Sequence, residues 1–518
     1  MSRVIVIGAG VGGLAAAARL ASLGHDVTVL EQAETIGGKL GTLEHDGFLF
    51  DTGPSLVTMP YVFTELFAET GAPLETVLEL RRLETACRYR FADGTELDMP
   101  GRIEQIPDAL DAALGSGAGA QWARFLERSE RVWEIARGPF LESPIDAAGI
   151  ATLAANPLSL ARVAPWRSLR GFGEQDLTDG RLRALLDRYA TYTGSDPRRA
   201  PSALATVPYA EQAYGSWYVP GGLWRLGAAI ADRAVQCGAH IRTGVCVSRI
   251  LQDGARVAGV ETADGERIAA DIVVANADAE TVYGQLLRSE GARRAAKRHA
   301  KLDPSLSGFV LLLALDDLDD AEFEHGEATH HRVLFAEDYD AEFDAVFGVG
   351  GQAGAGPKPV ERPTIYISAP DDPETVPESG CGAWFVLVNA PRHDPERGVD
   401  WDEPGLAERY AASILELMAE RGVDVREHVR WMRIRTPADI ERDTRSPGGS
   451  IYGTASNGAR ASFLRPSNRQ PVEGLYLVGG SAHPGGGLPL VTLSAAIVAQ
   501  LVGPAEPEAG RARSASGL

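Results

Sequence analysis

Six residues near the start of the chain, Gly8-Ala9-Gly10-Val11-Gly12-Gly13, fit the spacing G-x-G-x-x-G, and Glu31 lies 18 residues beyond Gly13. Each has a separate job in holding a dinucleotide. Gly8 permits a tight turn, Gly10 lets the backbone approach a pyrophosphate, and Gly13 allows a helix to pack on a strand. The Glu31 carboxylate can accept hydrogen bonds from both ribose hydroxyls and repels a 2′-phosphate. A second stretch with chemical potential lies near the other end: Gly479-Gly480-Ser481, then His483, then Gly485 to Val491. Glycine pairs permit close backbone approach to a ligand, and His483 is a tempting general base. Held among glycines, His483 also reads as a loop histidine bonded to backbone, which is the preferred reading. Asp51, Asp146, Tyr192 and Glu211 are further acid–base candidates, and none carries a spacing that marks a catalytic pair.

The elements around these residues support the assignments. Val4-Ile5-Val6-Ile7 is an apolar run suited to a buried parallel strand, Leu14 to Leu23 reads as a helix, and Asp26 to Leu30 as a second strand ending on Glu31. The helix N-terminus offers free N–H groups and a partial positive charge to phosphate. Residues 61–80 read as a helix and 86–99 as a hairpin about Asp93-Gly94. From about 105 to 215 the chain is helix-rich. Beta structure returns at Trp217, with a helix from Leu223 to Gln236 and strands at 239–251, 255–263, 266–269, 271–277, 308–316, 364–369 and 383–390. A helix at 405–421 follows. Residues 474–505 carry no charge, but Gly479-Gly480 and His483-Pro484-Gly485-Gly486-Gly487 interrupt them. They read as a strand, a loop and a buried helix rather than a membrane span. The glycine-rich stretch from Gly348 follows no apolar strand and opens no helix, so one dinucleotide site is expected, not two. Residues from Glu506 read as a disordered tail.

Composition sets the remaining bounds. The 518 residues carry 50 Lys plus Arg against 71 Asp plus Glu, a net charge of −21, which speaks against a nucleic-acid partner. Four cysteines without C-x-x-C spacing give neither a zinc site nor a disulfide framework and suit a reducing cytoplasm. The first strand begins at Val4, leaving no room for a signal peptide. One segment reverses the global charge. Residues 147–173 hold no acid, and they place Arg162, Arg167 and Arg170 around Trp166 and several leucines. A segment lying in a membrane interface has this pattern, and so does a helix pair with solvated arginines.

Further stretches resemble one family, the bacterial phytoene desaturases, which are FAD-dependent carotenoid desaturases and oxidases within the amine-oxidase-like flavoproteins. The resemblance rests on Gly8 to Gly13 with Glu31, on Gly37-Gly38-Lys39, and on Phe50 to Ser55. It continues through Trp166-Arg167-Ser168-Leu169, Tyr192-Thr193-Gly194, Trp217 to Gly222 and Asn276-Ala277-Asp278. Later matches are His330 to Phe335, Arg465-Pro466-Ser467-Asn468 and Gly474 to Ser494. It implies an α/β fold: a discontinuous Rossmann-like FAD-binding domain from 1–105, 218–285 and 455–505, and a mixed α+β substrate-binding domain from 106–217 and 286–454 with a helical, membrane-facing part.

By the same resemblance the FAD site takes in Gly8, Gly10, Gly12, Gly13, Glu31, Gln32, Gly38, Lys39, Leu40, Gly53, Pro54 and Ser55. Later parts of the chain add Val245, Val247, Gly479, Gly480, Pro489, Leu490 and Val491. Lys39 stands where the family usually has arginine, so a cation can serve phosphate there without bidentate geometry. The strand with Val245 and Val247 reads the adenine edge through its backbone, although plain sheet packing explains those side chains equally. Gly479-Gly480-Ser481 lacks the Asp many relatives carry. A helix after Pro489 would point its N-terminal N–H groups at the flavin.

The implied reaction is desaturation of an acyclic carotenoid, with hydride passing to flavin N5 and oxygen or quinone as final acceptor. The run Gly485 to Val491 looks like the later-acting members, so a terminal-methyl oxidase is the alternative. A saturase, an isomerase and a non-enzymatic carrier stand behind it. A hydrocarbon substrate binds by burial, at about 25 cal/mol per Å², and 147–173 is the expected entrance. That places the protein in the cytoplasm, peripheral to the inner face of the cell membrane.

Overall fold

The computed structural model describes residues 1–145, 156–318, 330–349, 356–458 and 465–506. Two sheets organise them. The first is wholly parallel, with strand order Leu475–Leu477, Ile272–Ala275, β1 (Arg3–Ile7), β2 (Asp26–Leu30) and His240–Arg242. Alternation along β1 explains its place. Val4 and Val6 face a core that includes Leu14, Ala17 and Leu20 of α1 (Val11–Ser22), while Ile5 and Ile7 face Val260, Val273 and Leu475. The helices Trp224–Gln236 and Leu488–Val502 pack against α1, and a three-stranded antiparallel meander covers the other face.

The second sheet has seven strands, in the order Val429–Arg435, Ser307–Leu315, Gly382–Ala390, Ile365–Ser368, His331–Leu334, Thr85–Arg90 and Glu96–Pro100. Its neighbours are antiparallel except His331–Leu334 beside Thr85–Arg90, which is parallel. A helix-rich layer built from residues 106–214 encloses Trp122, Phe125, Leu182 and Tyr189.

Several sequence expectations need correction. The hairpin Thr85–Pro100, expected in the cofactor unit, hydrogen-bonds into the seven-stranded sheet. The helix expected over 61–80 ends at Thr70, because Gly71 takes a left-handed conformation with φ of 100° and a short turn follows at Leu74–Thr76. The strand expected over 239–251 is two strands, His240–Arg242 and Val247–Asp253, in different sheets. Residues 146–155, with Asp146 and the start of the basic segment, lie outside the described residues, as does the tail from 507. No described helix is long and apolar enough to cross a membrane.

Candidate active site

A cavity of about 630 Å³ begins at the end of β2, passes the glycine turn, and opens into a chamber between the helical layer and the large sheet. Its first part is lined by backbone. Gly8 has φ of 95°, and a Cβ on Gly10 would stand 2.9 Å from the Asn276 side chain. A Cβ on Gly13 would collide with the Gly8 carbonyl oxygen. Gly13 therefore serves helix-on-strand packing and does not line the cavity, whereas Gly8, Gly10 and Gly12 do.

Glu31 sits buried at the end of β2. It accepts hydrogen bonds from the Ala9 N–H at 2.6 Å and the Ala33 N–H at 2.9 Å. Beside it stand Gln32, Val245 and Val247. The Val245 N–H is already bonded to the Glu31 carbonyl at 2.7 Å.

The residues present fit a dinucleotide. Helix α1 starts at Gly10 with no capping side chain and no acid in its first turn, so its first N–H groups face the cavity uncapped. Two cations line the wall beyond, Lys39 half-buried and Arg465 buried. Burial lowers Lys39 to about 8 and Arg465 to about 10, with Asp278 as the acid opposing this in each case. Lys39 Nζ donates to the carbonyls of Ser450 and Ile451, both at 2.8 Å. Arg465 donates to the carbonyls of Tyr452, Thr454 and Gly480. These bonds tie the loop of residues 450–454 to the glycine stretches, and a pyrophosphate would balance the excess positive charge. Gly38, Leu40, Gly53, Pro54 and Ser55 complete this part of the wall.

Across the cavity stand Gly479 and Gly480, then Pro489, Leu490 and Val491 at the start of the helix Leu488–Val502, whose N-cap Gly487 also lacks a capping side chain. Gly479 has φ of 99°, and its Cα faces Gly12 across the Asn276 side chain.

His483 lies elsewhere. It is fully buried behind the wall that its neighbour Pro484 lines. Its Nε2 donates to the Ser143 carbonyl at 3.0 Å, and its ring stands edge-on to Phe140. Burial pushes its pKa down to about 4. This neutral ring is a brace between two loops. Asp51 is likewise occupied: it accepts from the N–H groups of Leu223 at 2.6 Å and Trp224 at 2.8 Å, at the start of the helix Trp224–Gln236. Burial raises it to about 6.

The chamber walls are apolar, with Met59, Trp133, Phe140, Leu204, Val207 and Val333 among them. One polar knot interrupts them. Arg188 donates to Tyr192 Oη at 2.7 Å and Tyr89 Oη at 2.8 Å. Glu211 accepts from Tyr189 Oη at 2.7 Å and Tyr192 Oη at 2.8 Å. The guanidinium and Glu211 stand 3.9 Å apart. Burial opposes the charge on Arg188, but Tyr192, Tyr89 and Glu211 outweigh it and hold the group charged. On the adjoining sheet, Tyr366 Oη bridges Ser55 Oγ at 2.5 Å and His331 Nδ1 at 2.8 Å.

Tyr192 and Glu211 stood among the sequence candidates. Arg188, Asn276 and Tyr366 did not, and only the stretches Tyr192-Thr193-Gly194 and Asn276-Ala277-Asp278 pointed near them.

A parallel sheet whose glycine turn fits a dinucleotide, beside a largely apolar chamber, has the make-up of a nucleotide-dependent oxidoreductase. Comparison with known proteins narrows this. The flavin-containing amine oxidoreductase family matches residues 11–316. A 4,4′-diapolycopene oxygenase from Methylomonas sp is 34% identical, over 96% of this chain and 97% of its own. A 1-hydroxycarotenoid 3,4-desaturase from Flavobacterium sp. (strain P99-3) is 32% identical, over 97% of this chain and 99% of its own. Among solved structures, a putrescine oxidase superposes with a TM-score of 0.63 at 15% identity, covering 97% of this chain and 98% of that one, which shows a shared fold. The chain belongs to the flavin-containing amine oxidoreductase family, on the branch of the bacterial carotenoid desaturases and oxygenases, and its cofactor is FAD.

Proposed function

We propose that this protein desaturates an acyclic carotenoid, removing two hydrogens from adjacent carbons. The observation that carries this is the apolar chamber continuous with the cofactor channel. A long polyene offers no charge to hold, and walls such as Leu204, Val207 and Val333 bind it by excluding water. Bound FAD supplies the two-electron oxidant. Glu31, the glycine turn and the uncapped α1 would hold its nucleotide end, and Gly479, Gly480 and Pro489 to Val491 would hold its ring end. Oxygen or quinone removes the electrons afterwards.

Oxidation of a terminal methyl group is the second reading, favoured by the Methylomonas relative. The two differ in one experiment: anaerobic titration of the purified protein with detergent-solubilised carotenoids, followed at the flavin absorbance band. A desaturase bleaches the flavin and yields a longer, red-shifted polyene without oxygen. An oxidase forming a carbonyl consumes oxygen stoichiometrically. Unchanged flavin with every acyclic carotenoid overturns the desaturase reading.

Access is proposed from a membrane surface, with the protein cytoplasmic and peripheral to it. Leu158 and Trp166 are 70% and 68% exposed, beside Arg162 and Arg167, on the described part of the basic segment. Solvent-exposed Leu and Trp flanked by arginines suit an anionic interface. Arg170 is excluded from that role, since it is paired with Asp187 and Asp340.

A further inference from the structure

The polar knot in the chamber is not chemically complete. A guanidinium carries five N–H donors. In Arg188 one from each terminal nitrogen is used, on Tyr192 and Tyr89, which leaves the second N–H of each terminal nitrogen without an acceptor; Nε, enclosed within the wall, has none either. The tyrosine hydroxyls and Glu211 satisfy one another: Tyr192 Oη accepts from Arg188 and donates to Glu211, and Tyr189 donates to the other Glu211 oxygen. What is missing is an acceptor, and it is missing in a buried wall that lines a largely apolar chamber. A pure hydrocarbon would leave those donors unpaired in its own binding site. Glu211, 3.9 Å from Arg188, already balances the positive charge, so the absent acceptor is neutral.

Resting on the carotenoid reading above, we propose that Arg188, oriented by Tyr192 and Glu211, is a specificity-determining donor that receives a neutral oxygen on the substrate, the hydroxyl or aldehyde oxygen of an oxygenated polyene. The apolar walls hold the chain, and the guanidinium selects substrates that already carry oxygen. The substrate then comes from a reaction that hydrates or oxygenates the polyene, and this enzyme acts after it. Tyr192 and Glu211 are positioning residues in this arrangement, since they fix the plane of the guanidinium and do not themselves lack a partner.

The test uses purified flavin-loaded protein and three polyenes of equal length: a hydrocarbon, its terminal alcohol and its terminal aldehyde, with the terminal carboxylate as a fourth arm. Binding is measured by titration, independently of turnover. The alcohol or aldehyde is expected to bind at least about tenfold more tightly than the hydrocarbon, because a site built to hydrogen-bond an oxygen rejects the analogue lacking it. In Arg188→Met/Glu211→Gln, which removes both charges at similar volume, that ratio falls to within about twofold while hydrocarbon binding is retained. If this variant does not fold, Arg188→Lys keeps the charge opposite Glu211 but loses the fork, and the ratio falls by severalfold.

Equal binding of all arms to the wild-type protein overturns the proposal and leaves the carotenoid reading standing. Undiminished discrimination in a folded Arg188 variant also overturns it, and so does preference for the carboxylate. Failure of every polyene to bind removes the carotenoid reading itself and this proposal with it.

Discussion

The two ends of the cavity solve recognition in opposite ways. At the nucleotide end the binding surface is main chain, made accessible because Gly8, Gly10 and Gly479 carry no Cβ, and side chains such as Glu31 only trim it. At the chamber end the surface is side chain, largely apolar, with a buried charge pair that several tyrosines hold in place. Backbone recognition depends on a few residues contiguous in the chain. The chamber is assembled from helices of residues 106–214 and strands of the large sheet, brought together only by the finished fold. The first end tolerates almost no substitution at a few positions. The second tolerates repacking along its walls but not disruption of its charge pair.

The hardest test of this contrast is Gly13→Val. Its branched side chain would enter the space of the Gly8 carbonyl in the α1–β1 contact, and loss of essentially all bound flavin is expected in the flavin-to-protein absorbance ratio, with poor recovery of folded protein. Next is Glu211→Leu, which leaves Arg188 charged and buried without its counter-charge. It should cost about 3–5 kcal/mol in denaturant unfolding, while Arg188→Met/Glu211→Gln costs much less. Equal losses would mean the pair stabilises through packing alone.

Acid pH probes the packing behind the cavity walls through two buried histidines, His330, whose ring stands edge-on to Tyr218, and His483. Burial lowers His330 and His483 to about 4 from 6.5, so each is neutral when folded and takes a proton on unfolding. Their contribution is full above about pH 6.5 and is lost as pH falls toward 4. Stability should be flat near pH 7 and decline below 6.5, by on the order of 3 kcal/mol at most for each histidine, and His330→Gln should flatten the decline.

A smaller effect is expected at Glu31→Gln. The amide still accepts one N–H bond but meets the Ala9 and Ala33 donors less well, and FAD affinity should fall by about tenfold in a reconstitution titration. The smallest effect belongs to His483→Gln, which keeps a donor for the Ser143 carbonyl. Turnover should change by less than about threefold and its pH profile not at all, whereas a catalytic base would cost at least about a hundredfold.

The same contrast explains what could be read in the sequence. The run Val4 to Ile7, the glycine spacing and Glu31 were legible because strand, turn, helix and terminal acid follow one another without interruption. The helix expected after Pro489 was legible for the same reason, and it begins at Leu488. Arg188 was not legible, because one arginine among many in a helical region carries no local signature, and its meaning comes from Tyr89, a strand residue 99 positions away. His483 was tempting as a base because it lies in the loop after Gly479-Gly480; the preferred reading, a loop histidine bonded to backbone, agrees with its bond to the Ser143 carbonyl, a partner 340 positions distant that the sequence could not name. The strand Val429–Arg435 went unread because it is an edge strand in which Arg430, Arg433 and Arg435 interrupt the half-buried apolar residues without a strict alternation, which weakens the strand pattern.

In the parallel sheet, β1 lies beside Ile272–Ala275, which lies beside Leu475–Leu477. A ribosome therefore delivers this sheet in widely separated instalments. Until the last strand emerges, Ile272–Ala275 presents an open edge able to pair with another chain, and the Gly479 to Val491 wall of the cofactor channel does not yet exist. FAD is thus captured by the completed polypeptide, and it stabilises that polypeptide in proportion to its free concentration. Yield in a heterologous host should then follow riboflavin supply and slow translation rather than messenger abundance, because the vulnerable species is the nascent chain waiting for its final strand.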